Sequence, residues 1–192
     1  MIKDRIKQIS IKHGLSHVGS NMTCADIIND IYYLKKDDET FVLSCGHSSL
    51  ALFAVLELHY ELDAEKLYLK HGTHPNRDLR DKIEVSTGSL GMGFIISIGM
   101  ALANRNKDVY VLLSDGEIFE GAVYEGANVM RKYNITNLKV YVNWNGYTAY
   151  AETKETPKIE EIVKQLIPDV RIIKTSVKDY GFIGLEAHYN KL

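Results

Sequence analysis

The chain has 192 residues, 45% of them apolar, and its 23 basic and 25 acidic residues leave a formal charge of -2. That length supports one compact domain with a full core and is short for two. The charges are scattered, which excludes a nucleic-acid footprint and a polybasic membrane patch.

The longest apolar run, residues 94–103, is too short to span a bilayer. The N-terminal "MIKDRIKQISIKHG" mixes charged and apolar residues where a signal core would be continuous, so a soluble cytoplasmic protein is expected. Cys24 and Cys45 form no CxxC motif and suggest no disulfide framework, which fits a reducing compartment.

In chain order, residues 2–12 read as a short helix. "TCADIINDIYYL" (23–34) reads as a second, with Thr23 as N-cap and Asp26 three positions on, close to a capping box. "TFVLS" (40–44) is a short strand that runs into "CGH". Residues 47–59 predict a helix with Leu50, Phe53, Ala54 and Leu58 on one stripe. "HGTHPNRDLRDK" (71–82) is polar and aperiodic, a surface loop of the kind that holds binding groups. "GFIISIGMALA" (93–103) is apolar on every side at helical length, with Ser97 and Ala101 one turn apart. Such a helix is expected to be covered all round, at a subunit interface or in the centre of one core.

"DVYVLLS" (108–114), "NLKVYVNW" (137–144) and "VRIIKTS" (170–176) are strand-like. Between the first two, Phe119, Ala122, Val123, Gly126, Ala127 and Met130 mark a helix over 119–133. Strand, helix and strand at this spacing make a βαβ unit. The expected fold class is therefore α/β, a three-layer α/β/α domain over 1–192 with a mostly parallel sheet.

Ligands of open parallel sheets sit at the carboxyl ends of the strands. Asp115 and, thirty residues later, Asn145 fall at two such ends with one helix between them. Two oxygen donors and a backbone carbonyl are the usual protein share of a magnesium site, with phosphate oxygens completing it. Asp-Gly and Asn-Gly are also ordinary turn dipeptides, and either alone would signal only a turn. Their joint placement points to a metal-bound diphosphate. The glycine loop "GSLGMG" (88–93) invites comparison with dinucleotide binding, but its spacing reverses the fingerprint and the next strand ends in "SDG". A nucleotide-binding dehydrogenase is the lesser alternative.

"DGE", "EG" and "NWNG" in this order resemble the thiamine-diphosphate motif, and other segments resemble the N-terminal, diphosphate-binding domain of the transketolase family. "SHVGSNMTCADI" is similar to "GHPGG...SAADI", "FVLSCGHSSLALFAVL" to "FVLSKGHAAPALYAVL", and "GTHPN" to "GHPE". "IEVSTGSLGMGFIISIGMALA" is nearly a family consensus, and "TSVKDYGFIGLEAHYNKL" resembles "TVKGKGVSFME...WH".

The resemblance implies that Asp115, Asn145 and the main-chain carbonyl of Tyr147 hold magnesium or calcium. It implies that Gly88 and Gly116 let backbone approach the diphosphate of thiamine diphosphate, with Ser89 and Glu117 also among the cofactor contacts and Leu90 against the aminopyrimidine. His17, His47 and His74 match histidines that line the thiazolium and substrate channel, and His188 matches a further one. Imidazoles suit that work because their pKa lies near operating pH and either nitrogen donates or accepts. His13, His59 and His71 match no motif and are expected to be surface or packing residues. The counterpart of Glu120 belongs to a carboxylate network between subunits. Cys45, two residues before His47, is expected to face away from it as an unreactive small side chain.

Three departures stand out: Ser114 replaces the first glycine of "GDG", Cys45 replaces the basic residue of "SKGH", and the stretch between the Asn-Gly turn and the last strand is short. The resemblance also implies that the pyrimidine-binding and C-terminal domains lie outside these 192 residues. The expectation is a diphosphate-binding subunit of a split transketolase-like enzyme, self-associating and paired with a separate pyrimidine-domain subunit. The assembly would move a two-carbon ketol unit from a ketose to an aldose, as sugars or sugar phosphates. No nucleic acid and no membrane are expected as partners. The alternative is a homologue that binds thiamine diphosphate or a partner without turnover; the histidines argue against it and the shortened chain argues for it.

Overall fold

Alternation along the strands assigns the layers. The computed structural model describes residues 1–153, 157–182, 189 and 191. Among these, β1 (Thr40–Leu43), β2 (Val109–Ser114), β3 (Leu138–Trp144) and β4 (Arg171–Lys174) form one sheet in that order. All three pairings are parallel, with Thr40 opposite Val109, Val109 opposite Leu138 and Tyr141 opposite Arg171. Because side chains alternate across a pleat, Val42, Val109, Val111, Leu113, Val140 and Val142 face one side, and Phe41, Leu43, Tyr110, Leu112 and Tyr141 face the other.

Each face is covered by helices. α1 (Ile2–His13), α2 (Val18–Leu34), α3 (Ser49–Tyr60) and α4 (Ala64–His71) share a core with the second set, and α5 (Met92–Ala103), α6 (Gly121–Lys132) and α7 (Pro157–Leu166) with the first. Crossovers between parallel strands are right-handed, so connections that advance in one direction must return over one face. α5, α6 and α7 do so. The three-layer α/β/α architecture agrees with the sequence reading.

Several element boundaries differ. α2 begins at Val18, not at Thr23, and its N-cap is His17 in a left-handed conformation (φ 60, ψ 21). Thr23 lies inside the helix, where its hydroxyl donates to the Gly19 and Ser20 carbonyls at 3.0 and 3.1 Å. The small polar residues before it carry no apolar periodicity, yet Val18 and Met22 are buried in the core, so tertiary packing extends the helix. α3 is buried on all sides from Ser49 to Leu56 instead of along one stripe, because α1, α2 and α4 all pack against it; Leu58 is 40% exposed. α4 is an element that the sequence reading lacks; the Asp63 carboxylate caps it by accepting from the Lys66 N–H at 3.0 Å.

α5 buries Phe94, Ser97, Ile98 and Ala101, while Met92, Ile96, Gly99 and Ala103 lie exposed on the opposite stripe. Only one side of this apolar helix is therefore covered by the described residues. Its N-terminal turn lies against the end of β1 so closely that a Cβ at Gly93 would stand 2.6 Å from Ser44 Cα. Backbone cannot yield as a side-chain tip can. Gly93→Ala is expected to destabilise the chain by about 1–3 kcal/mol, seen as a lower thermal midpoint; an unchanged midpoint would show that α5 is free to move outward.

Candidate active site

Asp115 and Asn145 follow directly on β2 and β3, and the chain between them packs as α6. Gly46, His47 and Ser48 form a 3₁₀ turn after β1, and Gly88 to Gly91 lead into α5. These segments meet the His17 turn at the carboxyl end of the sheet, around a cleft of about 260 Å³. His17, His47, His74, Gly88, Leu90, Gly116, Asn145 and Tyr147 line it together. The ring centroid of His17 lies 5.7 Å from that of His47 and 6.5 Å from that of His74. Ser16 Oγ is 2.9 Å from His17 Nδ1 and fixes the orientation of that ring.

Other surface clefts among the described residues are larger, including one of about 680 Å³ between α1 and α3. Of its charged groups, Arg5 and Glu57 satisfy each other at 2.9 Å, and Asp4 pairs with the N-terminal ammonium at 2.7 Å. Donor chemistry, not volume, distinguishes the histidine cleft.

Asp115 is wholly buried beneath it. Its Oδ2 accepts from the Gly146 N–H at 2.8 Å and the Thr153 hydroxyl at 3.3 Å, and its Oδ1 from the Gly116 N–H at 3.1 Å. Among the described residues these partners are neutral. Burial pushes the Asp115 carboxyl up to about 7, against the opposing effect of the hydrogen bonds. A desolvated carboxylate with no counter-charge is suited to a cation, and a carboxylate beside a carboxamide suits a hard one such as magnesium or calcium. The donor set therefore fits the implied metal. Asn145 Oδ1 accepts from the Tyr147 N–H at 3.0 Å, and the segment then folds back, with the Thr148 N–H on the Ala151 carbonyl and the Thr153 N–H on the Gly146 carbonyl, both at 2.8 Å. This compact return is how a short connection still delivers Thr153 to Asp115.

Gly88 has φ 146, and a Cβ there would lie 3.1 Å from the His74 ring. Glycine at this point keeps His74 in the cleft and leaves backbone exposed to a ligand. Leu90 and Gly116 also line the cleft, whereas Ser89 is exposed beside it.

Glu117 does not line the cleft. It is entirely buried, and its Oε1 accepts from Ser44 Oγ at 2.5 Å and the Gly91 N–H at 2.8 Å, while its Oε2 accepts from the Ser114 N–H at 2.9 Å. One carboxylate thus joins the ends of β1 and β2 to the start of α5, and burial raises its pKa. Glu120 begins α6 beside Gly91. Cys45 and Cys24 are buried free thiols below the His47 turn. His188 lies outside the described residues.

The remaining histidines serve elsewhere: His13 meets Glu65 at 2.7 Å and His59 meets Asn29 at 3.1 Å. His71, Asp78 and Asp81 could hold a metal by proximity. Lys70 Nζ, however, already bridges Asp78 and Asp81 at 2.9 and 2.6 Å, so that position has its cation. Sequence reasoning missed Asn21, Ser44 and Thr153 as supporting residues. Asn21 and Ser44 stand inside quoted motifs, but nothing in residue type alone marks them.

The family profile described as transketolase, thiamine diphosphate binding domain, matches residues 11–165. One of the subunits of the apulose-4-phosphate transketolase of Phocaeicola vulgatus is 29% identical over 180 residues, a match covering 83% of this chain and 64% of that protein. The transketolase of Aquifex aeolicus is 32% identical over 148 residues, covering 66% of this chain and 21% of that one. The chain thus spans less than two thirds of these relatives. Among solved structures, transketolase from Leishmania mexicana superposes with a TM-score of 0.69 at 18% identity, over 91% of this chain and 36% of that one, which supports the fold. With four fifths of its length inside that profile and the same architecture, the chain belongs to the thiamine-diphosphate-binding domain family of transketolases.

Proposed function

We propose that this chain is the diphosphate-binding subunit of a transketolase-type enzyme that moves a two-carbon ketol unit between sugars or sugar phosphates, in the cytoplasm, together with a pyrimidine-domain subunit. The observation that carries the reading is the convergence of three imidazoles, two glycine backbones and Asn145 on one cleft, with the Asp115 carboxylate buried beneath it. The Phocaeicola vulgatus relative is named as one subunit of its transketolase, which supports a partner chain here. The exposed apolar stripe of α5 supports association, either with the partner or with a second copy. No helix among the described residues is long and apolar enough to cross a membrane, and the two thiols remain free, as a reducing compartment requires.

Asp115 and Asn145, with the Tyr147 carbonyl, would hold magnesium or calcium on the diphosphate, and Gly88 and Gly116 would admit it to the backbone. When bound, thiamine diphosphate supplies the electron sink that ketol transfer needs. Leu90 would support the flat face of its aminopyrimidine. His17, His47 and His74 would bind sugar hydroxyls, keep water from the reacting carbons and carry protons to and from hydroxyl oxygens, since either imidazole nitrogen donates or accepts.

The test is reconstitution with the pyrimidine-domain subunit, magnesium and thiamine diphosphate, followed by transfer from a ketose phosphate to an aldose phosphate. His47→Ala and His74→Ala should lower turnover by about 100- to 10,000-fold while leaving cofactor affinity intact. Cofactor binding by the assembled wild type without any ketol transfer would replace this reading with that of a non-catalytic binding module.

A further inference from the structure

A buried carboxamide ties the two histidine turns together below the cleft. Asn21, 4% exposed, lies one helical turn beyond His17 in α2. Its Nδ2 donates to the His17 carbonyl at 2.9 Å and to the His47 carbonyl at 3.3 Å. Its Oδ1 accepts from the Ala51 N–H, in the first turn of α3, at 2.9 Å. That N–H has no partner within its own helix, and the N-cap Ser48 makes no side-chain cap, so Asn21 caps α3 from outside.

The demand on this side chain is specific. Two donors and one acceptor on a single short planar group describe asparagine; aspartate brings no donors, and an aliphatic residue brings neither. The His17 backbone adds a second demand. A left-handed conformation costs a non-glycine residue about 1–2 kcal/mol, so it persists only where the surroundings impose it. The His17 carbonyl receives two bonds from the same residue, from Nδ2 and from the Asn21 backbone N–H at 3.1 Å.

We infer that Asn21 is the positioning residue of the histidine pair: it holds the left-handed turn of His17 and anchors the His47 turn to the same point. Both imidazoles then meet a bound molecule from one rigid origin. That the molecule is a sugar rests on the proposed function; the anchoring does not.

The two are tested separately. In the isolated chain, the Cε1–Hε1 proton–carbon signals of the histidines are assigned by single replacements and compared between wild type, Asn21→Ala and Asn21→Asp. Both variants should move or broaden the His17 and His47 signals and leave those of His13 and His71 in place. Asn21→Asp keeps an acceptor for Ala51, and with it the α3 cap, so it reads the loss of the two donated bonds even where Asn21→Ala fails to fold. In the reconstituted enzyme, turnover should fall about 10- to 100-fold with cofactor affinity unchanged. Unmoved His17 and His47 signals would overturn the inference, and so would cofactor affinity that falls in step with turnover. Absence of ketol transfer in the wild type would instead defeat the proposed function, with the spectra still deciding the role of Asn21.

Discussion

Asp115→Asn should strongly weaken magnesium-dependent binding of thiamine diphosphate and, at pH 8, make the free chain more stable. The two effects share one cause. Asp115 is buried among neutral donors, and its pKa is raised from 3.8 to about 7. Between those values the folded chain keeps a proton that the unfolded chain has released, so folding stability falls as pH rises. The group contributes no penalty below pH 3.8, and the penalty is complete above about 7. A shift of that size corresponds to about 4 kcal/mol, an upper figure. The carboxamide removes the charge but turns an NH₂ toward one of the three donors, so only part of the penalty is recovered. Each kcal/mol recovered should raise the thermal midpoint by about 2–4 °C, and the fall in stability of the wild type between pH 4 and 7 should flatten. With Asp115 in its proposed role as a metal ligand, the substitution should weaken cofactor affinity by at least about 100-fold, measured calorimetrically with magnesium in excess. A variant that bound cofactor like the wild type would remove Asp115 from the metal site.

The second large effect is expected at Glu117. Glu117→Ala leaves Ser44 Oγ and the Gly91 and Ser114 N–H groups without their buried acceptor. Each orphaned donor costs about 1–3 kcal/mol, so the total is about 3 kcal/mol or more, a large part of the stability of a domain this size. Chemical denaturation would show the midpoint shift. Glu117→Ala should also weaken cofactor binding indirectly, because the ends of β1 and β2 and the start of α5 lose their common tie. If stability were kept while affinity alone fell, Glu117 would be a direct cofactor contact after all.

Legibility in the sequence differs by residue. β-branched runs mark β2 and β3, and topology alone places the residues just past them, Asp115 and Asn145, at the site. His17, His47 and His74 come from three segments far apart in sequence; only motif resemblance groups them, since no local period relates them. The start of α2 is not legible because burial of Val18 and Met22 is a tertiary fact. The resemblance makes Glu117 of the "DGE" motif a cofactor contact, yet in the 3₁₀ turn over Asp115–Phe119 it is directed into the core and Gly116 toward the cleft. Asn21 and Thr153 act through bonds spanning 30 and 38 residues, the latter to Asp115. Such partnerships are set by the folded surface, and residue type does not announce them.

The strands follow one another across the sheet in chain order, with β2 and β3 inside and β4 at the margin among the described residues. An insertion or deletion at that margin changes the outline of the sheet without altering the register between Ser114 and Asn143, which sets Asp115 beside the Asn145 turn. Natural variation in length is therefore expected to accumulate at β4 and not in the return between β3 and Thr153, and a graft joining this chain to another protein would disturb the proposed metal donors least if made at β4.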